Sequence, residues 1–147
     1  MVEGYVKRSD RKKILLLSDD LRMHSGIATM SRELVVGSAH KYNWFQLGAA
    51  LKHPDKGKVI DISDDVNKET GINDSSVKVM PNEGYGNSAL VRMLLDKEKP
   101  DAIFIFTDPR YWIWLFEIER EVRNKIPIIW LNIWDDYPAP VYNRDYY

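Results

Sequence analysis

The sequence predicts an α/β fold: a single Rossmann-like domain, with a mostly parallel sheet and helices on both faces. Three observations predict it. Residues 14–17 (ILLL) and 102–106 (AIFIF) are apolar at every position, the mark of strands buried on both faces as in a parallel sheet. Such runs alternate along the chain with segments of helical periodicity. Each run also stops abruptly at a polar loop, and the right-handed crossover rule gathers those loops at one edge of the sheet.

In chain order, residues 1–12 read as a flexible leader rich in Lys and Arg, and residues 13–147 as the domain. The first strand, 14–17, ends at Ser18, Asp19 and Asp20. A helix follows over 26–36, with Ser25 as its N-cap and Gly37 as its stop; Ile27, Met30 and Leu34 would share its inner face. Residues 43–47 form a second strand, and Pro54 and Gly57 mark 48–58 as a loop. Residues 59–62 are a short strand or edge element, 64–76 a polar excursion on the surface, and 77–80 another short strand closed by Pro81. After a loop over 82–86 comes a helix over 87–97, whose Leu90, Val91, Leu94 and Leu95 face inward and which Pro100 forbids from continuing. Residues 102–106 are the clearest buried strand. Asp108 and Pro109 then supply an N-cap and a first helical position, opening one helix with an inner stripe of Leu115, Ile118 and Val122 and an outer Glu119–Arg123 pair. Residues 127–133 are the last buried strand, and 134–147 an irregular tail.

The bulk numbers exclude several function classes. The 147 residues suffice for one domain with a core. Twenty-one basic against 22 acidic side chains leave a formal net charge of −1, which gives no support for a nucleic-acid partner or a polybasic membrane surface. With no Cys, disulfides, thiolate metal sites and thiol catalysis are excluded, and the cytoplasm is the default compartment. No apolar run approaches the roughly 18 residues of a spanning helix, so no transmembrane segment is expected. Five Trp and eight Tyr are unusual; the cluster at Trp112, Trp114, Phe116, Trp130, Trp134 and Tyr137 reads equally well as core or as an exposed surface for a sugar, a base or another domain.

The edge that collects the strand ends carries the chemistry. Asp19, Asp20, Arg22, His24, Ser25 and Gly26 follow the first strand; Thr107, Asp108 and Arg110 follow the strand at 102–106; Trp134, Asp135 and Asp136 follow the last. Polar strand ends are expected in any α/β domain, and capping alone explains Asp108. A helix N-terminus at Ser25–Gly26, with Ile27 behind it, offers unpaired N–H groups and suits a phosphate, and Gly lets a ligand approach the backbone. The single glycine is neither a dinucleotide fingerprint nor a P-loop. His24 is a candidate proton shuttle, whereas His40 and His53 lack partners at ligand spacing. The carboxylates could hold Mg²⁺, as a phosphoacceptor receiver domain does. That fold is rejected, because the stretch between Asp20 and Asp108 is too long for one β-α-β unit and no lysine ends the final strand.

The segments SDDLRMHSGIATMSREL, KPDAIFIF and IPIIWLNIWDDYP resemble the N-terminal half of GT-B glycosyltransferases, especially the family 4 type. The resemblance implies one half of a GT-B architecture, in which this acceptor-side domain works with a nucleotide-sugar co-substrate and without a metal or other cofactor. Gly26 matches the family glycine beside the donor diphosphate. Asp135 matches the Asp of a His-Asp pair whose His is replaced here by Trp134, so that Asp135, Asp136 or His24 would carry the catalytic role. Ser25, Gly26, Ile27, Asp19, Asp108, Arg110 and Trp134 would bind substrate. The C-terminal donor domain and its E-x7-E-type motif are absent from these residues, so a second domain or a partner chain is expected for transfer. Two rival readings stand beside it: a non-catalytic Rossmann-like assembly module acting through its aromatic surface, with homo-oligomerisation, and a Mg²⁺-dependent phosphoryl-transfer domain.

Overall fold

A computed structural model describes residues 3–49, 54, 57–82, 84–107 and 109–131. Its centre is a six-stranded sheet formed by β1 (Lys12–Asp19), β2 (Tyr42–Ala49), β3 (Ile60–Asp61), β4 (Val77–Pro81), β5 (Ala102–Phe106) and β6 (Ile128–Trp130). The strand order is β3-β4-β2-β1-β5-β6. Every pairing is parallel except that of the short edge strand β3 with β4. The α/β class and the mostly parallel sheet read from the sequence are what the chain forms.

Side chains alternate across a strand, so β1 feeds two cores. Leu15 and Leu17 join Phe45, Leu47, Met80, Ile103 and Ile105 under α3 (Ser88–Glu98), α4 (Ile113–Glu117) and α5 (Glu119–Arg123). Ile14 and Leu16 join Trp44, Val77 and Val79 under α1 (Gly26–Ser38) and α2 (Ser63–Thr70). Leu16 and Leu17 are fully buried, and burial of such a side chain contributes about 1.5–3 kcal/mol. That every position of 14–17 is apolar follows from this two-sided burial.

The structure revises several local expectations. In α1 the buried residues are Ala28, Ser31 and Val35, while Met30 is 54% exposed. The inner face is one residue on from the predicted stripe, because the small Ala28 and Ser31 let the helix lie close to the sheet. The stretch 64–76 is not simply a surface excursion. It contains most of α2, which buries only Val66 and Ser63 and so leaves no periodic apolar signal. Ser63 fixes that helix by accepting from Val77 N–H at 3.0 Å, and Gly71 closes it at φ 79°.

After β5 there is no single helix but a 3-10 turn (Pro109–Trp112), α4 and α5, interrupted at Ile118. Leu115 and Val122 are buried as the stripe predicts, and Glu119 pairs with Arg123 at 3.2 Å. Among the described residues β6 is an edge strand rather than a buried one, with Ile129 46% exposed. Residues 3–11, read above as a loose leader, are tied to the domain through Arg11, which is 7% exposed and bonds to Val6 and Asp74.

Candidate functional site

The order of the strands locates the site. From β1 the chain runs through α1 to β2, then lays β3 at the edge and returns through α2 to β4, which fills the place between β3 and β2. α3 then carries it back to β5, on the other flank of β1, and α4 and α5 continue outward to β6. The loops that leave β1 and β5 therefore part toward opposite faces. In open α/β sheets a ligand crevice lies at such a reversal, outside the strand C-termini.

Three devices shape the loop between β1 and α1. Gln46, 1% exposed on β2, donates its amide to Ser18 Oγ and to the Asp19 carbonyl, both at 2.7 Å. It also accepts the Leu21 N–H at 3.0 Å. Asp20 is fully buried and accepts from the Arg22 backbone N–H at 2.9 Å and from the Arg22 guanidinium at 2.9 and 2.8 Å. The room for that carboxylate exists because residue 48 is glycine: a Cβ there would sit 2.7 Å from Asp20 Oδ2. Ser25 caps α1 by accepting the Ala28 N–H at 3.0 Å, and its hydroxyl donates to Asp19 Oδ2 at 3.0 Å.

These contacts sort the predicted residues. Asp19, Ser25, Gly26 and Ile27 come together at the start of α1. Asp20 is an internal anchor and not a rim ligand. His24 is exposed and lines a different place, a cleft of about 610 Å³ beside α1, with Arg22, Thr29, Arg32, Glu33 and Glu69. Arg32 and Glu69 are ion-paired across it at 2.7 Å. Arg110 belongs to the 3-10 turn after β5, but its side chain lies outside the described residues, as do Asp108, Trp134, Asp135 and Asp136. Among the described residues no three His, Asp or Glu side chains cluster as a metal site would need.

Sequence reasoning missed Gln46 and the Tyr85–Tyr111 pair. A polar residue amid the apolar run WFQLGA was the available signal for the first. The glycines flanking Tyr85 were the signal for the second. The two tyrosine rings stack with centroids 4.4 Å apart and planes 8° from parallel. Of the aromatic cluster, Trp112 is fully buried, and Trp114, Phe116 and Trp130 pack on the core formed with α3–α5. Tyr137 lies outside the described residues.

No family model matches the chain, and no curated protein matches it. Among solved structures the chain is similar to a protein of the universal stress protein family from Burkholderia pseudomallei. The identity is 14%, over 82% of this chain and 96% of that one, with a TM-score of 0.38. This overturns the glycosyltransferase resemblance and the transferase function drawn from it: the similar structure is not a glycosyltransferase, and no family model joins the chain to that group. At that TM-score the likeness itself carries no argument about a ligand.

The motifs behind the resemblance have local explanations. Gly26 is the first residue of a capped helix. Pro100 follows the end of α3, and Asp101 holds β1 by accepting the Lys13 N–H at 2.8 Å and donating its own to the Lys13 carbonyl at 2.7 Å. A parallel β-α-β domain needs such features whatever it binds. No helix among the described residues is long and apolar enough to cross a membrane.

Proposed function

We propose that this chain is a binding domain for a small phosphate-bearing molecule that also carries hydroxyl groups, held in the crevice between the loops after β1 and β5. The observation that supports it best is the open start of α1: a Cβ built on Gly26 would meet no atom within 4 Å. The cap satisfies Ala28 N–H, so the N–H groups of Gly26 and Ile27 are the first-turn donors left over, and they carry the partial positive charge of the helix end. Asp19, half-buried beside them, keeps acceptor capacity after taking the Ser25 hydroxyl, which favours a ligand with hydroxyl donors next to its phosphate. Asp108 and Arg110 are assigned to the same rim by their position directly after β5. The cytoplasm, with its pool of phosphorylated metabolites, is the compartment we assign to a chain without cysteine.

Calorimetric titration of the chain with ribose 5-phosphate and with ribose tests this. Only the phosphorylated sugar should bind. Gly26→Leu, whose side chain would fill the open space before the helix, should weaken it by about ten-fold or more, the scale of lost hydrogen bonds to a charged group. Its unfolding midpoint should stay near that of the parent. Equal binding of ribose, or indifference to Gly26→Leu, would refute the assignment.

A further inference from the structure

We propose that the cleft beside α1 is a second binding site, for a free α-amino acid with an apolar side chain. It stands apart from the phosphate reading above, since neither Gly26 nor Ile27 lines it. Its volume of about 610 Å³ falls within the roughly 300–1,000 Å³ of small-molecule sites.

One stripe of α1 forms its wall. Thr29, Arg32, Glu33, Val36 and Gly37 recur at i, i+3, i+4, i+7 and i+8, so they share a face of the helix. Gly37, expected to stop α1, lies inside it, since the helix runs on to Ser38. Its φ is not positive, and a Cβ there would meet no atom within 4 Å. Neither backbone nor packing among the described residues calls for glycine at this place, and glycine is a poor helix former. Its effect is to keep the wall of the cleft bare, where a ligand can lie against the helix backbone. Val36 and the buried Leu21 supply apolar surface to the same cleft. Leu21 is fixed there, because Gln46 accepts its N–H at 3.0 Å.

The charged groups leave one donor and one acceptor in excess. Glu69, near the end of α2, takes one N–H of the Arg32 guanidinium at 2.7 Å. A guanidinium has five N–H groups, so Arg32 keeps donors for a second carboxylate, and an exposed pair of this kind is easily rearranged. Glu33 is exposed on the same stripe, and among the described residues no hydrogen bond or ion pair engages it. A cation with donors left and a carboxylate with acceptors left thus flank an apolar wall. That is the complement of an α-amino acid: its carboxylate to Arg32, its ammonium to Glu33, and its side chain along Val36, Gly37 and Leu21.

Calorimetric titration with leucine, 4-methylpentanoate (leucine without its ammonium) and 3-methylbutylamine (leucine without its carboxylate) tests this. Leucine should bind about ten-fold or more tighter than either, the scale of a hydrogen bond to a charged group. Glu33→Gln should erase the advantage over 4-methylpentanoate and keep that over the amine; Arg32→Gln should do the converse. Gly37→Leu should abolish leucine binding without lowering the unfolding midpoint, because the added side chain meets no neighbour and improves the helix. Ribose 5-phosphate should bind each variant as it binds the parent, whether or not leucine is present. No binding of leucine, binding no tighter than that of its two fragments, or indifference to the three substitutions would overturn the amino-acid site and leave the phosphate site standing. Competition between leucine and ribose 5-phosphate would overturn the cleft as a separate site.

Discussion

The two ends of β1 are each secured by an arginine–aspartate pair, and the pairs are built in opposite senses. At the N-terminal end Arg11 is the buried partner and Asp74 the outer one, with side chains 0% and 26% exposed. At the C-terminal end Asp20 is buried and Arg22 is outer, with 0% and 26%. Arg11 is satisfied largely by backbone: Val6 O and Asp74 O each accept at 2.8 Å, and the Asp74 carboxylate at 2.7 Å. A buried carboxylate cannot use carbonyls in this way, and Asp20 draws its N–H donors from the backbone and guanidinium of Arg22. The choice of buried partner decides what each end shows to solvent. The N-terminal end shows a carboxylate; the C-terminal end shows a guanidinium.

This asymmetry predicts unequal costs. Arg22→Ala removes the guanidinium from a fully buried carboxylate, leaving it the backbone N–H of residue 22, and should destabilise the chain by about 3–5 kcal/mol. Asp74→Ala leaves Arg11 with two carbonyl acceptors and should cost about 1–3 kcal/mol. Urea unfolding of both variants compares them directly. Equal costs would show that the backbone carbonyls do not carry Arg11, and the contrast between the two ends would fail.

A smaller effect sharpens the account of Asp20. Gly48→Ala places a methyl group 2.7 Å from Asp20 Oδ2 and 3.0 Å from its Cβ and Cγ, and overpacking of this kind costs about 1–3 kcal/mol. In an Asp20→Ala background the same change should cost clearly less, since Oδ2 and Cγ are gone and only the Cβ of residue 20, at 3.0 Å, remains. A double-mutant cycle from denaturant midpoints measures that coupling. Additive costs would mean that Gly48 is required for some reason other than Asp20.

The contrast also explains what could be read before folding. Strands β1 and β5 were legible because two-sided burial writes an uninterrupted apolar run, and the Ser25 cap because its side chain acts on the backbone three residues away. The winding reversal was not legible, since β2 and β4 carry no mark of which neighbour they pair with. α2 was hidden because a helix held by Val66 and the Ser63 hydroxyl needs no apolar stripe. At the site, the members of the predicted rim could not be sorted from the sequence: Asp19 and Asp20 are adjacent, yet Asp19 is half-buried and Asp20 fully buried. Local pattern gives the edge, while Gly48 and Gln46, brought over from β2, decide which carboxylate stays near the surface.

The smallest predicted effect is one of pH and belongs to the N-terminal end. Burial pushes the Asp74 carboxyl up, but hydrogen bonds from Tyr5 and Arg11, the Arg8 N–H and the Arg11 charge outweigh it and hold the group below the ordinary aspartate value. A carboxyl depressed on folding adds stability above its unfolded value and loses it as pH falls through the folded one. The Tyr5 hydroxyl, which donates to Asp74 at 2.6 Å, is shifted up, first by that hydrogen bond. Its contribution is therefore complete below the ordinary tyrosine value of about 10 and is lost as pH rises through the raised one. Thermal midpoints recorded against pH should accordingly show an acid limb that Asp74→Asn flattens and an alkaline limb that Tyr5→Phe flattens. An acid limb unchanged by Asp74→Asn would move the titrating group elsewhere and leave the Arg11 pair held by its carbonyls alone.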